Sequence, residues 1–327
     1  MLKCALIGPG RMGVNYAKVI QQNPSAELIA ICGNSVETTK RNATFLNLPL
    51  YFNNQWDKMF SDFPEINTVF ISTSEWAHLA PFEAAVKNGK NIIIEKPIGI
   101  SPKEYESMEK LVKAHPQIKV MVCHTCRFDQ RFIHAKQLLD AGGIGEVSYI
   151  YCRRNADIKT AARVMGKIPM SYWITAHDID LLRWYLTSEV AEVYACTSKR
   201  SDHFLIVNLL FKNGVRALVE TVWLGEPIVG QQHSRMDIEG KNGKIEINIS
   251  SPSVVQFSSE NTTLVDEHDF IEVYGNYTGT TPNMVNHFIE VLSKGKKAAV
   301  DFNDGLAAVK VCEAIHQSII SNNLIKL

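Results

Sequence analysis

Apolar and polar positions along this chain follow one rhythm over the first 120 or so residues and another thereafter. In the first stretch, short apolar runs at Cys4–Ile7, Leu28–Cys32, Asn67–Ser72, Asn91–Glu95 and Ile118–Cys123 read as strands. Helical spacing separates them: His78 to Asn88 is closed by Gly89, and Ser101-Pro102-Lys103-Glu104 opens a helix running to about His115. Serine at the cap, proline at the first helical position and glutamate three residues later form a capping box. Strands alternating with helices in this way predict a parallel sheet covered on both faces.

Beyond residue 124 the rhythm changes. A helix is expected near Phe132–Asp140, then a turn at Gly142-Gly143-Ile144-Gly145. Longer, partly alternating stretches follow at Val147–Arg153, Val190–Ser198, Phe204–Phe211, Val215–Trp223, Met236–Glu239 and Lys244–Ile249. Asn213-Gly214 and Asn242-Gly243 stand between pairs of them as hairpin turns. Further helices are expected at His177–Leu186, Pro282–Ser293 and Leu306–Asn322. The pattern therefore predicts an α/β domain over residues 1–123 and an α+β domain with a mainly antiparallel sheet over 124–327, and the length of 327 residues suits two domains.

Composition narrows the partners. Lys plus Arg and Asp plus Glu stand at 34 each, so no net field recommends nucleic acid or an anionic membrane. No apolar run approaches membrane-spanning length, and the first strand begins by residue 2 without a leader pattern, so a cytoplasmic location is expected. Seven scattered cysteines fit reduced thiols. Cys123-His-Thr-Cys126 has the spacing of half a zinc site, but no second pair stands at ligand distance and no metal is expected. A large one-sided sheet in the second domain makes a homodimer or homotetramer through it plausible.

The chemistry begins at Gly8-Pro-Gly10-Arg11-Met12-Gly13, set between a strand and a helix within a unit of about 30 residues. Gly8 permits the tight turn, Gly10 lets backbone approach a pyrophosphate and Gly13 lets the helix pack on the strand. The helix N-terminus presents N–H groups to the phosphates. An acidic residue about 20 positions on would pair with the ribose of NAD, but Gly33-Asn34-Ser35 occupies that place. With Lys40 and Arg41 following, NADP(H) is favoured modestly; Glu37 keeps NAD(H) open.

These motifs, with Glu95-Lys96-Pro97 and His177-Asp178-Ile179-Asp180-Leu-Leu-Arg-Trp184, resemble the glucose-fructose oxidoreductase, inositol dehydrogenase and rhizopine-catabolism (Gfo/Idh/MocA) oxidoreductases. Arg127-Phe128, Gly142-Gly-Ile-Gly145-Glu146-Val147, Lys241-Asn-Gly243 and Asp304-Gly305 support the likeness, which spans nearly the whole chain. The resemblance implies a Rossmann domain, an open-faced sheet domain, and hydride transfer between a nicotinamide and a carbinol carbon of a sugar, polyol or nucleotide sugar. It also implies that Lys96-Pro97 is often cis and that His78 lies near the nicotinamide end of the cofactor. The expected cofactor set is Gly8, Gly10, Arg11, Met12, Gly13, Asn34, Ser35, Ser72, Thr73, His78, Glu95 and Lys96.

Lys96 and His177 are the expected catalytic pair. Proline after Lys96 forces an extended backbone and projects the lysine from the carboxyl end of a strand, where it can donate to a substrate hydroxyl. His177 is expected in the first turn of a helix capped by Thr175 and Asp178, with the helix dipole keeping the imidazole neutral and able to accept a proton. Asp178 and Asp180 read as structural. Many family members carry an aspartate four residues before the histidine; here Trp173 stands there, and Tyr172 and Trp173 could form an aromatic floor for a sugar ring. Substrate contacts are expected from Lys96, Arg127, Asn155, Arg163, Trp173 and His177. Two other functions compete: a glycoside-cleaving enzyme working by transient oxidation and elimination, and a nucleotide sensor without chemistry.

Overall fold

A computed structural model describes residues 1–157, 161–198, 201–224, 234–249, 255–257, 262–264 and 268–327. Chain contacts divide it into one unit of Met1–Phe128 with His268–Leu306 and another of Asp129–Glu267 with Ala307–Leu327. The units are thus not two consecutive segments. Residues 268–306 return to the first, and the division falls inside the last helix.

The first unit holds β1 (Leu2–Ile7), α1 (Arg11–Gln22), β2 (Ala26–Cys32), α2 (Val36–Ala43), β3 (Leu50–Tyr51), α3 (Trp56–Asp62), β4 (Thr68–Ile71), α4 (Leu79–Lys87), β5 (Asn91–Ile94), α5 (Pro102–Ala114) and β6 (Val120–Val122). Its six strands are parallel in the order β3-β2-β1-β4-β5-β6, the Rossmann arrangement with its switch point between β1 and β4. The apolar runs read from sequence are these strands because both faces are covered: Cys4, Ala5, Leu6 and Ile7 are at most 1% exposed. α1 turns Tyr16, Ala17, Val19 and Ile20 inward, the stripe a surface helix needs.

The box expected at Ser101 forms differently. The Glu104 carboxylate accepts from the Ile100 N–H at 2.8 Å and from the Ser101 hydroxyl at 3.1 Å, so the serine donates to the glutamate rather than capping the backbone.

In the second unit, α6 (Gln130–Asp140) precedes β7 (Val147–Asp157), and a π turn over Ser171–Thr175 runs directly into α7 (Ala176–Leu186). β8 (Val190–Ser198), β9 (Ser201–Phe211), β10 (Arg216–Leu224), β11 (Ser234–Gly240) and β12 (Gly243–Ile249) complete the long strands. A short pair follows, β13 (Val255–Phe257) with β14 (Thr262–Leu264), and β17 (Ile325–Lys326) closes the chain against β8. The seven-stranded sheet runs β12-β11-β7-β10-β9-β8-β17 and is antiparallel except that β7 and β10 are parallel. One face is closed by Ile150, Cys152, Arg154 and Ala156 of β7 and Ala217, Val219, Thr221 and Trp223 of β10, all buried. Alternation puts Tyr149, Tyr151, Arg153 and Asn155 on the other face.

The segment returning to the first unit is a hairpin, β15 (Ile271–Val273) and β16 (Asn276–Thr278), followed by α8 (Thr280–Lys294) and the start of α9 (Phe302–Ser321). Its turn, Tyr274-Gly275, has φ of 50° and 81°, the pair of positive angles that a two-residue hairpin turn requires. Phe128 packs on His287 and Phe288 of α8 with ring centroids 5.3 and 5.7 Å apart.

Candidate functional site

The glycine turn is built from backbone. Gly8, at φ 94°, donates its N–H to Cys32 O at 2.8 Å, and its own carbonyl receives the Gly10 N–H and the Ser72 hydroxyl at 2.8 and 2.7 Å. A Cβ on Gly13 would stand 2.3 Å from Gly8 O and 2.5 Å from Ser72 Oγ, so α1 can lie this close only with glycine there. Gly10 differs: nothing lies within 4 Å of where its Cβ would be, and it is the N-cap of α1 with no side chain bonded to the cap. Open space beside the unpaired first N–H groups of a helix is the cradle a dinucleotide's pyrophosphate needs, and the residues present fit that group. Arg11 is exposed and Met12 half-buried at its rim.

Past β2, Asn34 is exposed and Ser35 caps α2, accepting the Thr38 N–H at 3.2 Å. Lys40 Nζ lies 5.9 Å from the Phe52 ring centroid, and Arg41 Nε donates to Asn42 Oδ1 at 3.3 Å. The cations that tilted the sequence reading toward NADP(H) are engaged at the far end of α2 instead.

Glu95 and Lys96 follow β5 directly, and the Lys96–Pro97 peptide is cis. The Glu95 side chain turns into the protein: one carboxylate oxygen receives the Tyr16 hydroxyl and the other the Lys96 N–H at 3.1 Å. Burial raises its pKa, and the Tyr16 bond and the Lys96 charge oppose that rise. His78 is 1% exposed, with Nδ1 2.8 Å from Pro97 O and Nε2 3.2 Å from Thr73 O. Burial lowers its pKa, opposed by the two carbonyl contacts, and because a carbonyl can only accept, the shorter contact is a donation from Nδ1–H. Ser72, Thr73, His78 and Glu95 were expected to touch the cofactor. Within the protein their side chains bond or face Gly8 O, Ala77 O, the Pro97 and Thr73 carbonyls and the Tyr16 hydroxyl.

Arg127 also departs from its expected role. It is 6% exposed, and its guanidinium donates to Ala299 O at 2.9 Å and to Asp304 at 3.0 Å, which makes it a strut between the chain after β6 and the returning segment rather than a substrate clamp.

In the second unit, every residue from Ser171 to Asp180 is buried except His177, which is partly open. The capping box drawn around it does not form. Thr175 is helical at φ −65° and ψ −27°, and its hydroxyl pairs with that of Thr221 at 2.9 Å. Asp178 instead takes two-pronged bonds from Arg154, at 2.7 to 3.1 Å. Because the π turn continues into α7, His177 does not sit at a free helix start, and the dipole argument for its neutrality falls away.

Tyr172 is no floor for a ring: it is 1% exposed, and its hydroxyl donates to Glu313 at 2.7 Å. Trp173 packs edge-on against Trp223, centroids 6.2 Å apart. Asn155 is on the opposite sheet face from Arg154 and Trp223, and Arg163 is exposed. Buried Asn155 Oδ1, Ser171 Oγ and Trp223 Nε1 make no hydrogen bond among the described residues.

Two family models match: "Oxidoreductase family, NAD-binding Rossmann fold" over residues 2–124 and "Oxidoreductase family, C-terminal alpha/beta domain" over 136–327. The chain belongs to this oxidoreductase family. A relative named inositol 2-dehydrogenase, from Rhizobium meliloti, is 24% identical, covering 100% of this chain and 99% of that protein. Among solved structures, myo-inositol 2-dehydrogenase from Lactobacillus plantarum superposes with a TM-score of 0.83 at 22% identity, covering 100% and 99% of the two chains. The scyllo-inositol dehydrogenase from Lactobacillus casei, solved with bound NAD(H) and scyllo-inositol, does so at 0.80 and 20%, again covering 100% and 99%.

Within the family's fold, the sequence reading passed over Tyr16, Arg154 and Trp223. Tyr16 carried a signal: a tyrosine on the buried stripe of α1 needs a partner for its hydroxyl. Arg154, next to Asn155 in a strand, carried none, because its partner lies in another element.

Proposed function

We propose that this oxidoreductase is an NAD(H)-dependent dehydrogenase that interconverts a secondary alcohol and a ketone on a polyol or sugar, with cyclitols the first substrates to try. The observation that carries the reading is that the open cradle at Gly10 and Lys96 lie at the carboxyl ends of β1 and β5, strands of one parallel sheet. Ligands of such sheets bind at that edge.

The N–H groups of Arg11, Met12 and Gly13 would hold the pyrophosphate of a dinucleotide, whose nicotinamide would supply a hydride acceptor for the carbinol carbon. Lys96 donates to the substrate oxygen and lowers the cost of negative charge on it, and His177 takes the hydroxyl proton during oxidation and returns it during reduction. With Trp173 at the place of the family's aspartate, proton transfer rests on these two groups. Asn155, Arg163 and Trp173 are proposed substrate contacts. NAD(H) is proposed over NADP(H), since Lys40 and Arg41 have other partners. The sheet face bearing Tyr149 and Leu218 is the proposed homodimer or homotetramer surface. Seven cysteines outside disulfides suit the cytoplasm.

Turnover of NAD and NADP with inositols, other polyols and sugars tests the reading. Lys96→Ala and His177→Ala are each expected to lower kcat by about 10²- to 10⁴-fold. Full turnover by Lys96→Ala overturns the assignment. Tight NAD binding without turnover on any substrate would favour a sensor.

A further inference from the structure

We propose that Tyr16 is a positioning residue for Lys96, acting through Glu95: its phenol holds the carboxylate that receives the Lys96 backbone N–H. The inference deepens the dehydrogenase reading and rests on it for the role of Lys96.

Tyr16 is fully buried on α1, one turn beyond Gly13, with its ring against Phe70 of β4 at 6.2 Å. Its hydroxyl reaches 79 residues along the chain to Glu95. Glu95 is fixed at its backbone by donation to Ile71 O at 2.9 Å, so the remaining freedom is in its side chain. The two carboxylate oxygens divide the work, one facing Tyr16 and the other facing Lys96 N–H. A part-buried carboxylate is held in place as an acceptor by the donors that satisfy it. Without the phenol, which lowers the Glu95 pKa against burial, the balance shifts towards the protonated acid, which presents fewer acceptor sites. The Lys96 main chain then loses its anchor on the residue before it.

Tyr16 suits the task because burial, with Cys123 and Glu95 beside it, pushes its own phenol well above the ordinary range, so it stays a donor at every working pH; Glu75 and Lys96 are the other charged groups that face Glu95. The arrangement also links the two ends of the proposed chemistry. α1, whose N-terminus forms the phosphate cradle, and the strand end carrying Lys96 share one hydrogen-bonded pair.

The test is Tyr16→Phe, which keeps the ring on Phe70 and removes only the donor. We expect kcat to fall at least about tenfold, with KM for the dinucleotide changed by less than about threefold. The acidic limb of the pH–rate profile should move up by about half a unit or more. A second readout needs no turnover. In the protein alone, the infrared carboxylic-acid stretch of Glu95, assigned by its loss in Glu95→Gln, should appear at higher pH in Tyr16→Phe than in wild type. Incorporating 3-fluorotyrosine at position 16 strengthens the donor and should move the band the opposite way, which covers the case of a poorly folding Tyr16→Phe. An unmoved Glu95 titration in either protein overturns the proposal, as does a loss of kcat matched by loss of folded protein with the pH profile unchanged. Wild-type protein inactive on every alcohol would count against the dehydrogenase reading, while the infrared result still decides the Tyr16–Glu95 link.

Discussion

Arg154 holds Asp178 through both carboxylate oxygens while the two residues are only 4% and 2% exposed, tying α7 to the centre of the seven-stranded sheet. Asp178 adjoins His177, so this pair fixes the turn of helix that carries the proposed proton acceptor. Breaking a buried pair from one side strands a charge in a poor dielectric. Arg154→Met is therefore expected to cost about 3–5 kcal/mol. Arg154→Met with Asp178→Leu should recover much of it, because no charge remains to be desolvated. Denaturant unfolding followed by tryptophan fluorescence compares the three proteins, and a double variant no more stable than Arg154→Met would refute the argument.

His78 closes the other side of Lys96. Its Nδ1–H donates to Pro97 O, immediately after the lysine, and its ring spans to the loop after β4. His78→Phe leaves a buried carbonyl without a donor, a cost of about 1–3 kcal/mol. His78→Gln, which can donate an N–H, should recover part of both stability and kcat. The pH dependence has a definite sign. With the folded pKa below the unfolded value near 6.5, the unfolded chain binds the extra proton, so wild-type stability falls as pH drops through that value towards the lower folded pKa. The fall should be shallower in His78→Gln, measured by thermal unfolding between about pH 7 and pH 5.

These two networks mark where sequence reading stopped. Strands β1, β4 and β5 and the glycine turn were legible because period and spacing are local properties. The box Thr175-x-x-Asp178 was equally legible and misleading: both side chains serve partners 46 and 24 residues away, which no local pattern encodes. His78, Glu95 and Ser72 also have protein partners that the motifs do not name: Pro97 O, the Tyr16 hydroxyl and Gly8 O. A motif fixes which loop a residue occupies, whereas the direction of its side chain depends on what packs behind it. The return of residues 268–306 to the first unit likewise depends on tertiary contacts such as Arg127 with Asp304.

Two glycines of the same turn should respond oppositely to alanine. Gly10 has φ −80° and ψ −168°, a backbone any residue adopts, and open space beyond it. Gly10→Ala should change stability by less than about 0.5 kcal/mol. Its methyl group occupies the cradle, and we expect the Kd for NAD to rise at least about tenfold. Gly13→Ala meets Gly8 O at 2.3 Å and forces backbone apart. Its expected loss is about 1–3 kcal/mol of stability as well as affinity. Calorimetric binding together with unfolding curves separates the two; equal stability losses would show that Gly10 serves packing and not a ligand.

Lys90 offers a pH test far from the proposed chemistry. It is 8% exposed, its ammonium donates to Ile66 O at 2.6 Å, and burial lowers its pKa below the ordinary 10.5, opposed by Glu65. In the interval between the lowered folded pKa and 10.5, the unfolded chain holds the proton that the native chain has released. Stability attributable to Lys90 must therefore rise with pH across that interval and stay at its lower level beneath it. Lys90→Met keeps an unbranched side chain of similar length and removes the titrating ammonium, which lies 5.7 Å from the Phe60 ring centroid. The wild-type-minus-variant difference in denaturation midpoint should climb as pH is raised from neutral towards 10.5. A flat difference would mean that the ammonium is as well solvated by the Ile66 carbonyl as by water, and the buried-lysine argument would fail.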